Sequence, residues 1–197
     1  MRTTIYHGRF APSPTGPLHY GSLLTAVASY LQARSNHGVW TVRIENIDPS
    51  REPKGCIQDI LDTLRDYGFI WDGKPYIQIE RIHYHLRIAE YLVQQGHAFR
   101  CQCSRKTLSM SAQTGAMGPL YPGTCRHLQL SPDQTHVIRV ITDHTRLSFL
   151  DRNYGWQSYD MARDSGDFVI VRADKLPSYI LAATLDDIQQ GYTEIVR

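Results

Sequence analysis

Apolar and polar positions near the start of the chain follow two regular spacings in turn. Residues 6–10 form a short run with aromatic ends, which favours a strand, and the prolines and glycine of residues 11–17 exclude a helix there. From Gly21-Ser22 to Gly38 the apolar residues have helical spacing, and residues 39–44 favour a second strand. This order predicts a βαβ unit, and therefore a parallel sheet covered by helices.

Two further helices are predicted at residues 54–67 and 81–95, each with an apolar face and a glycine as its stop. Residues 101–131 differ, because they are rich in Ser, Gly, Thr and Pro and show little periodicity. We interpret this segment as an insertion outside the main sheet. The pattern beyond it favours short strands at residues 137–141, 168–171, 179–185 and 193–196.

Composition narrows the class of protein. The 197 residues are 42% hydrophobic and 20% charged, which is typical of a globular domain and excludes a disordered or collagen-like chain. The net charge of +2 gives no sign of a strongly basic tail for nucleic acid. No apolar stretch approaches the ~18–20 residues of a membrane span, and the start lacks the apolar core of a signal peptide. We expect a cytoplasmic monomer without a membrane partner.

The most specific pattern spans residues 8–22, where the first strand leads through the proline-rich loop into a helix. A helix N-terminus presents unpaired backbone N–H groups and the positive end of the helix dipole, which suits a phosphate. His19 can donate a hydrogen bond to the same anion, and Gly21 allows a flat nucleotide ring to approach the backbone. A structural turn with a buried histidine is the alternative for a lone His and Gly. The length of the pattern favours a nucleotide site.

Residues 9–16 (Arg-Phe-Ala-Pro-Ser-Pro-Thr-Gly), followed by residues 19–22 (His-Tyr-Gly-Ser), resemble the first signature of the class I aminoacyl-tRNA synthetases, in the form used by their glutamyl group. The second and fourth positions of residues 19–22 depart from the letters of that signature. The resemblance implies an α/β fold: a Rossmann-like parallel-sheet catalytic domain with a small zinc-binding insertion. It divides the chain into a first half of the catalytic domain, the insertion and an incomplete remainder, at residues 1–100, 101–131 and 132–197.

The resemblance also implies which residues bind the two small substrates. ATP is expected at His19, Gly21 and Ser22, with Mg²⁺ accompanying it, and His19 and Gly21 are the expected catalytic residues. Glutamate is expected at Arg9, Phe10, Ala11, Pro12, Ser13, Glu45, Tyr179 and Arg197.

The glutamate assignment has a chemical basis at the end of the second predicted strand. In a parallel α/β sheet the carboxyl ends of the strands face the ligand crevice, and Glu45 stands at such an end. The resemblance implies that Glu45 contacts the α-amino group of glutamate, although Asn46 replaces a carboxylate of the family pattern. A solvated loop with an internal pair, such as Asp48 with Arg51, is the alternative.

A block near the other end of the chain completes the expected glutamate site. Residues 177–197 resemble the family's Pro-x-Tyr-x-Leu-Ala, Asp-Asp and Gly-x-Thr-x-x-x-Arg elements, and Tyr179 and Arg197 match positions that bind the amino acid. Glutamate carries two carboxylates, and a guanidinium such as that of Arg197 or Arg9 can bind one of them bidentately. From composition alone, Tyr179 would be a core residue.

Three of the four cysteines have the spacing of a structural metal site. Cys101-x-Cys103 and the later Cys125 supply three thiolates, and zinc prefers four tetrahedral ligands. Tyr121 and His127 both remain candidates for the fourth ligand, and histidine is the more conventional one. The resemblance favours Tyr121, because the queuosine branch of the glutamyl group has Cys-x-Cys…Tyr-x-x-x-Cys. Three unligated thiols in a loop are the alternative.

Within the glutamyl group the chain is most similar to this queuosine branch, whose members activate glutamate with ATP and attach it to queuosine in the anticodon of tRNA(Asp). The resemblance implies a ligase whose partners are L-glutamate, ATP and that tRNA. The four lysines do not stand in the context of the second class I signature, a lysine-bearing loop that binds ATP phosphates. We therefore expect an incomplete domain. The alternatives are the N-terminal catalytic part of a glutamyl-tRNA synthetase and an inactive remnant that binds glutamate or zinc.

Overall fold

A computed structural model describes residues 5–109, 113–134 and 136–197. Its strands are β1 (His7–Phe10), β2 (Val39–Ile44), β3 (Tyr76–Ile77), β4 (Ala98–Cys101), β5 (Thr114–Gly115), β6 (Gly118–Pro119), β7 (Val137–Val140), β8 (Arg146–Asp151), β9 (Gly155–Asp160) and β10 (Val169–Val171). Its α-helices are α1 (Tyr20–Ser35), α2 (Cys56–Asp66), α3 (Ile82–Gln94), α4 (Arg105–Ser109), α5 (Met161–Asp164) and α6 (Tyr179–Gln189). Single 3₁₀ turns lie at Pro49–Arg51, Gln78–Arg81 and Pro132–Gln134.

The chain divides into two compact units. The first comprises Met1–His83 with Ala182–Arg197, and the second comprises Tyr84–Leu181. This division groups residues 84–100 with the cysteine segment, whereas the sequence predicts functional boundaries at residues 100 and 131. Those functional boundaries stay a prediction.

The first unit contains the predicted βαβ arrangement. β1 and β2 are parallel, with His7 opposite Val39 and Phe10 opposite Val42, and β3 pairs in parallel with the other edge of β2. α1 follows the proline-rich loop and connects the two strands. β2 is buried without interruption from Trp40 onward, as expected for a strand of a parallel sheet covered on both faces. The predicted α/β fold class is confirmed.

Aromatic packing closes the core of the first unit. The Trp40 ring is fully buried, stacks on Phe69 at 5.6 Å and meets the edge of Tyr30 at 5.0 Å between ring centroids. Its indole N–H donates to Ser29 Oγ at 3.0 Å, so this buried polar atom is satisfied. The helices predicted at residues 54–67 and 81–95 are present as α2 and α3, each shorter by one to two residues at its ends.

The second unit contains an antiparallel sheet in the order β10-β7-β4 and the hairpins β5–β6 and β8–β9. β7 and β10 confirm the strands predicted at residues 137–141 and 168–171. The β8–β9 hairpin was not predicted. Its signal is the turn at residues 151–155, where Asp151 Oδ1 accepts hydrogen bonds from the backbone N–H groups of Asn153 and Tyr154, and Gly155 has a φ of 73°.

Residues 179–185 are helical, so the strand predicted there is wrong. The run Tyr-Ile-Leu-Ala-Ala-Thr-Leu is mostly apolar, and a short apolar run does not by itself distinguish a strand from a buried helix. The backbone N–H of Leu181 donates to Ser178 Oγ at 3.3 Å, so Ser178 lies at the cap position of α6. This serine is the signal that indicates a helix start.

The strand predicted at residues 193–196 is also wrong. The backbone N–H of His7 donates to the Thr193 hydroxyl at 2.9 Å, and the backbone N–H of Thr193 donates to the His7 carbonyl at 3.0 Å. A side-chain oxygen therefore occupies the place of a ladder carbonyl beside β1. A hydroxyl in that place interrupts a regular strand ladder.

Within the described ranges, no helix is both long enough and apolar enough to cross a membrane.

Candidate active site and metal centre

A network of buried charges lies in the first unit, where β1 and β2 meet α6. Arg9 makes a bidentate ion pair with Asp187, with Nε–Oδ1 at 2.7 Å and Nη2–Oδ2 at 2.8 Å. Arg43, whose side chain is completely buried, also contacts Asp187 Oδ1 at 2.7 Å. The Tyr192 ring lies 5.7 Å from both guanidinium carbons. One carboxylate thus holds two cations side by side.

Glu45 follows β2 directly and completes this network. Arg43 Nη2 donates to Glu45 Oε1 at 2.8 Å. The other oxygen, Oε2, is buried and has no hydrogen-bond partner among the described residues. A buried carboxylate oxygen without a donor is costly, so this atom indicates a place for a donor from outside the protein.

The protonation behaviour of the two carboxylates differs. Burial raises the pKa of Glu45 above its usual value, against the charges of Arg43, Arg9 and Arg197, which act in the opposite direction. Burial would raise the pKa of Asp187 as well, but the hydrogen bonds and charges of Arg9 and Arg43 outweigh it and lower that pKa. Asp187 is therefore a firmly ionised structural anion, whereas Glu45 is the anion that a further cation would stabilise.

Asn46, which follows Glu45 in the chain, connects two other segments through hydrogen bonds. Its Oδ1 accepts a hydrogen bond from the backbone N–H of Ile79 at 3.0 Å, and its Nδ2 donates to Glu52 Oε2 at 3.2 Å. A carboxylate at this position could not donate to Glu52. The amide of Asn46 therefore suits both contacts, whereas the family's carboxylate would suit only the one with Ile79.

Sequence reasoning missed the role of the Asp186-Asp187 pair. Asp187 binds the two arginines, while Asp186 is fully buried and accepts from Gln78 Nε2 at 2.9 Å and from Arg81 Nε at 2.7 Å. The two neighbours thus tie α6 to different segments of the first unit. The doublet itself was visible in the sequence, but no spacing rule could name partners more than 100 positions away.

The proline-rich loop is attached to the end of β2. The backbone N–H of Glu45 donates to the Pro12 carbonyl at 2.9 Å, and Cys56 Sγ donates to the Gly16 carbonyl at 3.2 Å. Ser13 is exposed on this loop, whereas the Phe10 side chain is buried in the core. A contact of Phe10 with a ligand would therefore use its backbone.

His19 caps the helix that the loop leads into. Its Nδ1 accepts a hydrogen bond from the backbone N–H of Ser22 at 3.2 Å, and its Nε2 lies 3.2 Å from Ser22 Oγ. This geometry suits a neutral ring with the proton on Nε2, which donates to the hydroxyl. The histidine is exposed, so the alternative of a buried structural histidine is wrong.

Gly21 leaves room for the His19 ring. A Cβ at position 21 would lie 3.2 Å from both Cε1 and Nδ1 of that ring, closer than ordinary contacts. The backbone φ is not in the left-handed region, so the requirement for glycine here is one of space. His19, Gly21 and Ser22 thus lie in close contact at the start of α1.

Tyr179 and Arg197 are placed differently from the residues above. Arg197 is exposed, and its charge acts on the buried carboxyl of Glu45. Tyr179 is the first residue of α6, is 44% exposed and belongs to the second compact unit. The expectation from composition that Tyr179 is a core residue is therefore wrong.

The three cysteines of the second unit form a compact cluster. The Sγ atoms of Cys101, Cys103 and Cys125 all lie within 4.8 Å of one another, and those of Cys103 and Cys125 are 3.6 Å apart. All are free thiols. In a tetrahedral zinc site with Zn–S bonds of about 2.3 Å, neighbouring sulfur atoms are about 3.8 Å apart. The cluster therefore has the size of such a site.

The Tyr121 hydroxyl occupies the fourth corner of the cluster. Its oxygen lies 3.4 Å from Cys101 Sγ and 3.6 Å from Cys103 Sγ, and it accepts a hydrogen bond from the backbone N–H of Cys125 at 2.8 Å. Among the Cys, His, Asp and Glu side chains of the described residues, these three cysteines form a group that could hold a metal ion. His127 is exposed and does not belong to this group. Three sulfur donors and an adjacent hydroxyl oxygen thus fit a four-coordinate zinc ion.

The ionisable groups of the cluster are strongly perturbed without a cation. Burial, together with hydrogen bonds to the three thiols, raises the pKa of Tyr121 far above its usual value. Burial is also the main cause that raises the pKa of Cys103 to about 11. A bound divalent cation reverses this tendency, because it favours deprotonated ligands.

The comparisons with known proteins agree with these features. A family model described as "tRNA synthetases class I (E and Q), catalytic domain" matches residues 6–197. The chain belongs to this family.

Particular relatives are also similar along the chain. The Glutamyl-Q tRNA(Asp) synthetase of Chromobacterium violaceum is 45% identical over 197 residues, which are 100% of this chain and 66% of the relative. The proteins of the same name from Aromatoleum aromaticum and Pseudomonas aeruginosa are each 46% identical, over 98% and 99% of this chain and 61% and 64% of theirs. The chain thus spans somewhat less than two thirds of the length of these relatives.

A solved structure shares the fold. The crystal structure of a glutamate tRNA ligase from Elizabethkingia meningosepticum in complex with its amino acid superposes with a TM-score of 0.81 at 26% identity. The superposition covers 98% of this chain and 43% of that one. The Rossmann-like class I synthetase domain implied by the sequence resemblance is therefore confirmed.

Proposed function

We propose that this chain activates glutamate with ATP and transfers it to queuosine in the anticodon of tRNA(Asp). The observation that carries the proposal is the buried Oε2 of Glu45, which has no hydrogen-bond partner among the described residues and lies beside the arginine network at the end of β2. The relatives named Glutamyl-Q tRNA(Asp) synthetase support the choice of acceptor. The reaction is that of an aminoacyl-tRNA synthetase-like ligase.

Glutamate fits the charges of this site. Its α-ammonium group can donate to Glu45 Oε2, which supplies the hydrogen bond that the buried oxygen lacks. Its carboxylates require cations, and Arg9 is an available donor: Asp187 uses Nε and Nη2, and Nη1 has no partner among the described residues. Arg197 supplies a second positive charge near Glu45. Residues 10–13 complete the proposed contacts within the first unit, and a role for Tyr179 stays a prediction from the resemblance.

ATP is assigned to the start of α1. The backbone N–H groups of Tyr20 and Gly21 have no acceptor within the described part of the protein, and they lie at the positive end of the helix dipole. His19 Nε2–H can exchange the Ser22 hydroxyl for a phosphate oxygen. These groups suit the phosphates of ATP, which would carry Mg²⁺.

The proposed chemistry is an in-line displacement. A carboxylate oxygen of glutamate attacks the α-phosphorus of ATP, the bond to the β-phosphate oxygen breaks, and pyrophosphate leaves. A hydroxyl of queuosine then attacks the glutamyl carbonyl, the bond between that carbonyl and the phosphate oxygen breaks, AMP leaves, and the hydroxyl proton passes to solvent. Since no protein group forms a bond, the contribution of the chain is positioning and electrostatic stabilisation of the transferring phosphate.

The cysteine cluster is proposed as a structural zinc site. Cys101, Cys103, Cys125 and Tyr121 would hold the ion, and the ligand set leaves no open position for a substrate. Bound zinc would link the end of β4 to the loop before residue 126. This site would stabilise the second unit and take no part in the reaction.

A second candidate is the catalytic part of a glutamyl-tRNA synthetase, favoured by the superposition on the Elizabethkingia glutamate tRNA ligase. Comparison of purified tRNA(Asp) with queuosine, the same tRNA without it, and tRNA(Glu) as acceptors of labelled glutamate distinguishes the two. We expect glutamate only on the queuosine-containing tRNA(Asp). Charging of tRNA(Glu) instead would favour the second candidate.

Glutamate-dependent exchange of labelled pyrophosphate into ATP tests activation separately. We expect exchange with the 197-residue chain, and a raised KM for glutamate in Glu45→Gln. Zinc binding without exchange would identify an inactive remnant.

A further inference from the structure

The phenol ring of Tyr121 rests on two side chains of the antiparallel sheet in the second unit. Phe99 on β4 and Arg139 on β7 are directly opposite each other in the strand register. The Tyr121 ring lies 5.7 Å from the Phe99 ring, and the guanidinium carbon of Arg139 lies 4.2 Å from the centre of the Tyr121 ring. Two side chains of the sheet thus pack against the ring of the proposed fourth zinc ligand.

Arg139 is an unusual arginine. It is only 9% exposed, yet none of the described residues forms an ion pair with it, and its Nε is buried without a hydrogen-bond partner. Its Nη1 donates to the backbone carbonyl of Asp167 at 2.8 Å. A buried charge without a counterion is costly, so this position requires negative charge nearby.

The metal centre would supply that negative charge. Three thiolates and a phenolate around a divalent cation leave the centre net negative, and a buried centre of that kind is stabilised by an adjacent cation. Arg139 is in contact with the ring of one of these ligands. The unpaired cation and the excess negative charge therefore complement each other.

Asp167 connects this support to another ligand. Asp167 is 3% exposed, and its carboxylate accepts from Arg126 Nε at 2.8 Å and from the backbone N–H of Thr142 at 2.9 Å. Arg126 directly follows Cys125 in the chain. The same residue thus holds Arg139 through its carbonyl and the segment after Cys125 through its carboxylate.

We propose that Arg139 is a positioning residue of the metal centre, which orients the Tyr121 ring and balances the charge of the ligand set. The inference rests on the proposed zinc site. Outer-shell partners of metal ligands orient them, and their loss commonly costs about 10–100-fold in metal affinity.

The test is a double-mutant cycle on zinc affinity in the full chain. Zinc dissociation constants are measured by competition with a chromophoric chelator for the wild type, Arg139→Met, Tyr121→Phe and the double variant. We expect Arg139→Met to weaken zinc binding by about 10–100-fold in the wild-type background, and clearly less when Tyr121 is already Phe. Equal losses in both backgrounds, or no loss, would overturn the proposal.

A matched control lies on the same sheet. Arg100 is between Phe99 and Cys101 on β4, so its side chain points to the opposite face, where it pairs with Glu90. Arg100→Met should leave zinc affinity unchanged, and an equal loss in this variant would assign the effect to general weakening of the sheet. If Arg139→Met does not fold, Arg139→Gln, which is also uncharged, replaces it in the cycle, with the same criterion.

A spectroscopic readout distinguishes orientation of the ligand from stability. The visible bands of bound Co²⁺ depend on its ligands, so the Co²⁺ spectrum of Arg139→Met should shift towards that of Tyr121→Phe. An unchanged spectrum would contradict the positioning role. If the wild type binds neither Zn²⁺ nor Co²⁺, the zinc site itself fails, which is a different outcome from failure of the cycle.

Discussion

Arg9 and Asp187 form a two-bond ion pair although 178 positions separate them in the chain. The pair is mostly buried, and Asp187 also contacts the fully buried Arg43. Asp187 therefore determines where the guanidinium of Arg9 lies relative to the end of β2. The proposed carboxylate contact of Arg9 depends on this distant residue, which is not itself assigned to the substrate.

Replacement of Asp187 by Asn should destabilise the chain strongly. The variant leaves two buried guanidinium groups without their shared anion, and breaking such a pair costs about 3–5 kcal/mol. Urea unfolding at neutral pH measures the difference in the free energy of unfolding. Asp62→Asn, which alters an exposed pair with Arg65, is the control and should change the free energy by no more than about 0.5 kcal/mol. A similar small change in Asp187→Asn would contradict the structural role.

The same ion pair makes a prediction for pH. Because the pKa of Asp187 is lowered in the folded chain, its contribution to stability is complete above the unfolded pKa of about 3.9 and is lost as pH falls through the lower folded value. The difference in stability between wild type and Asp187→Asn should therefore be constant near neutrality and decrease in acid. Unfolding curves at a series of pH values measure it, and a difference that grows on acidification is inconsistent with the pairing.

Glu45→Gln should impair the use of glutamate. The variant keeps the shape of the side chain but removes the charge that would bind the α-ammonium group, and a hydrogen bond to a charged group is worth about 1.5–3 kcal/mol, or roughly 10–150-fold in affinity. The KM for glutamate in pyrophosphate exchange should rise by that factor while the KM for ATP changes little. Burial raises the pKa of Glu45, so its carboxylate takes up a proton at a higher pH than an ordinary glutamate side chain does. The wild-type KM for glutamate should therefore already rise at a pH at which an ordinary glutamate side chain is still ionised. Equal changes in both KM values would argue against the assignment.

Gly21→Ala should separate stability from activity. The added Cβ displaces the His19 ring from Ser22, while alanine within a helix is favoured over glycine by about 0.5–1 kcal/mol. We expect a folded protein of equal or higher stability whose exchange rate falls about 100-fold, since small misplacements of positioning groups have costs of that size. Gly16→Ala is the control, because a Cβ there has no atom within 4 Å. Full activity in Gly21→Ala would remove His19 from the proposed ATP contacts.

Zinc binding should identify the fourth ligand. Tyr121→Phe removes the oxygen that lies 3.4 Å from Cys101 Sγ, so zinc affinity should fall by more than about 100-fold, whereas His127→Ala should bind zinc like the wild type. Metal content per chain and competition with a chelator measure both variants. Unchanged affinity in Tyr121→Phe together with loss in His127→Ala would transfer the ligand role to the histidine.

Short-range patterns account for what could be predicted from the sequence. Three such patterns are the prolines of residues 11–17, the helical spacing after Gly21 and the Cys101-x-Cys103 pair. Each affects only the conformation of residues close to it in the chain, so its structural consequence does not depend on the rest of the fold. The two wrong strands at residues 179–185 and 193–196 show the limit of the same reasoning. There, a serine cap and a threonine hydroxyl decided the backbone, and neither is visible in hydrophobic spacing.

The sequence by itself thus determined the class of fold, the position of the turn that leads into α1 and the three thiols of the proposed metal centre. Only the tertiary structure decided which cations share Asp187, that Glu45 Oε2 is buried without a partner among the described residues, and that Arg139 lies over the Tyr121 ring. The physical reason is that burial and charge pairing depend on segments brought together from distant parts of the chain. Side chains with the same local pattern can be exposed or buried, and only the assembled core distinguishes them.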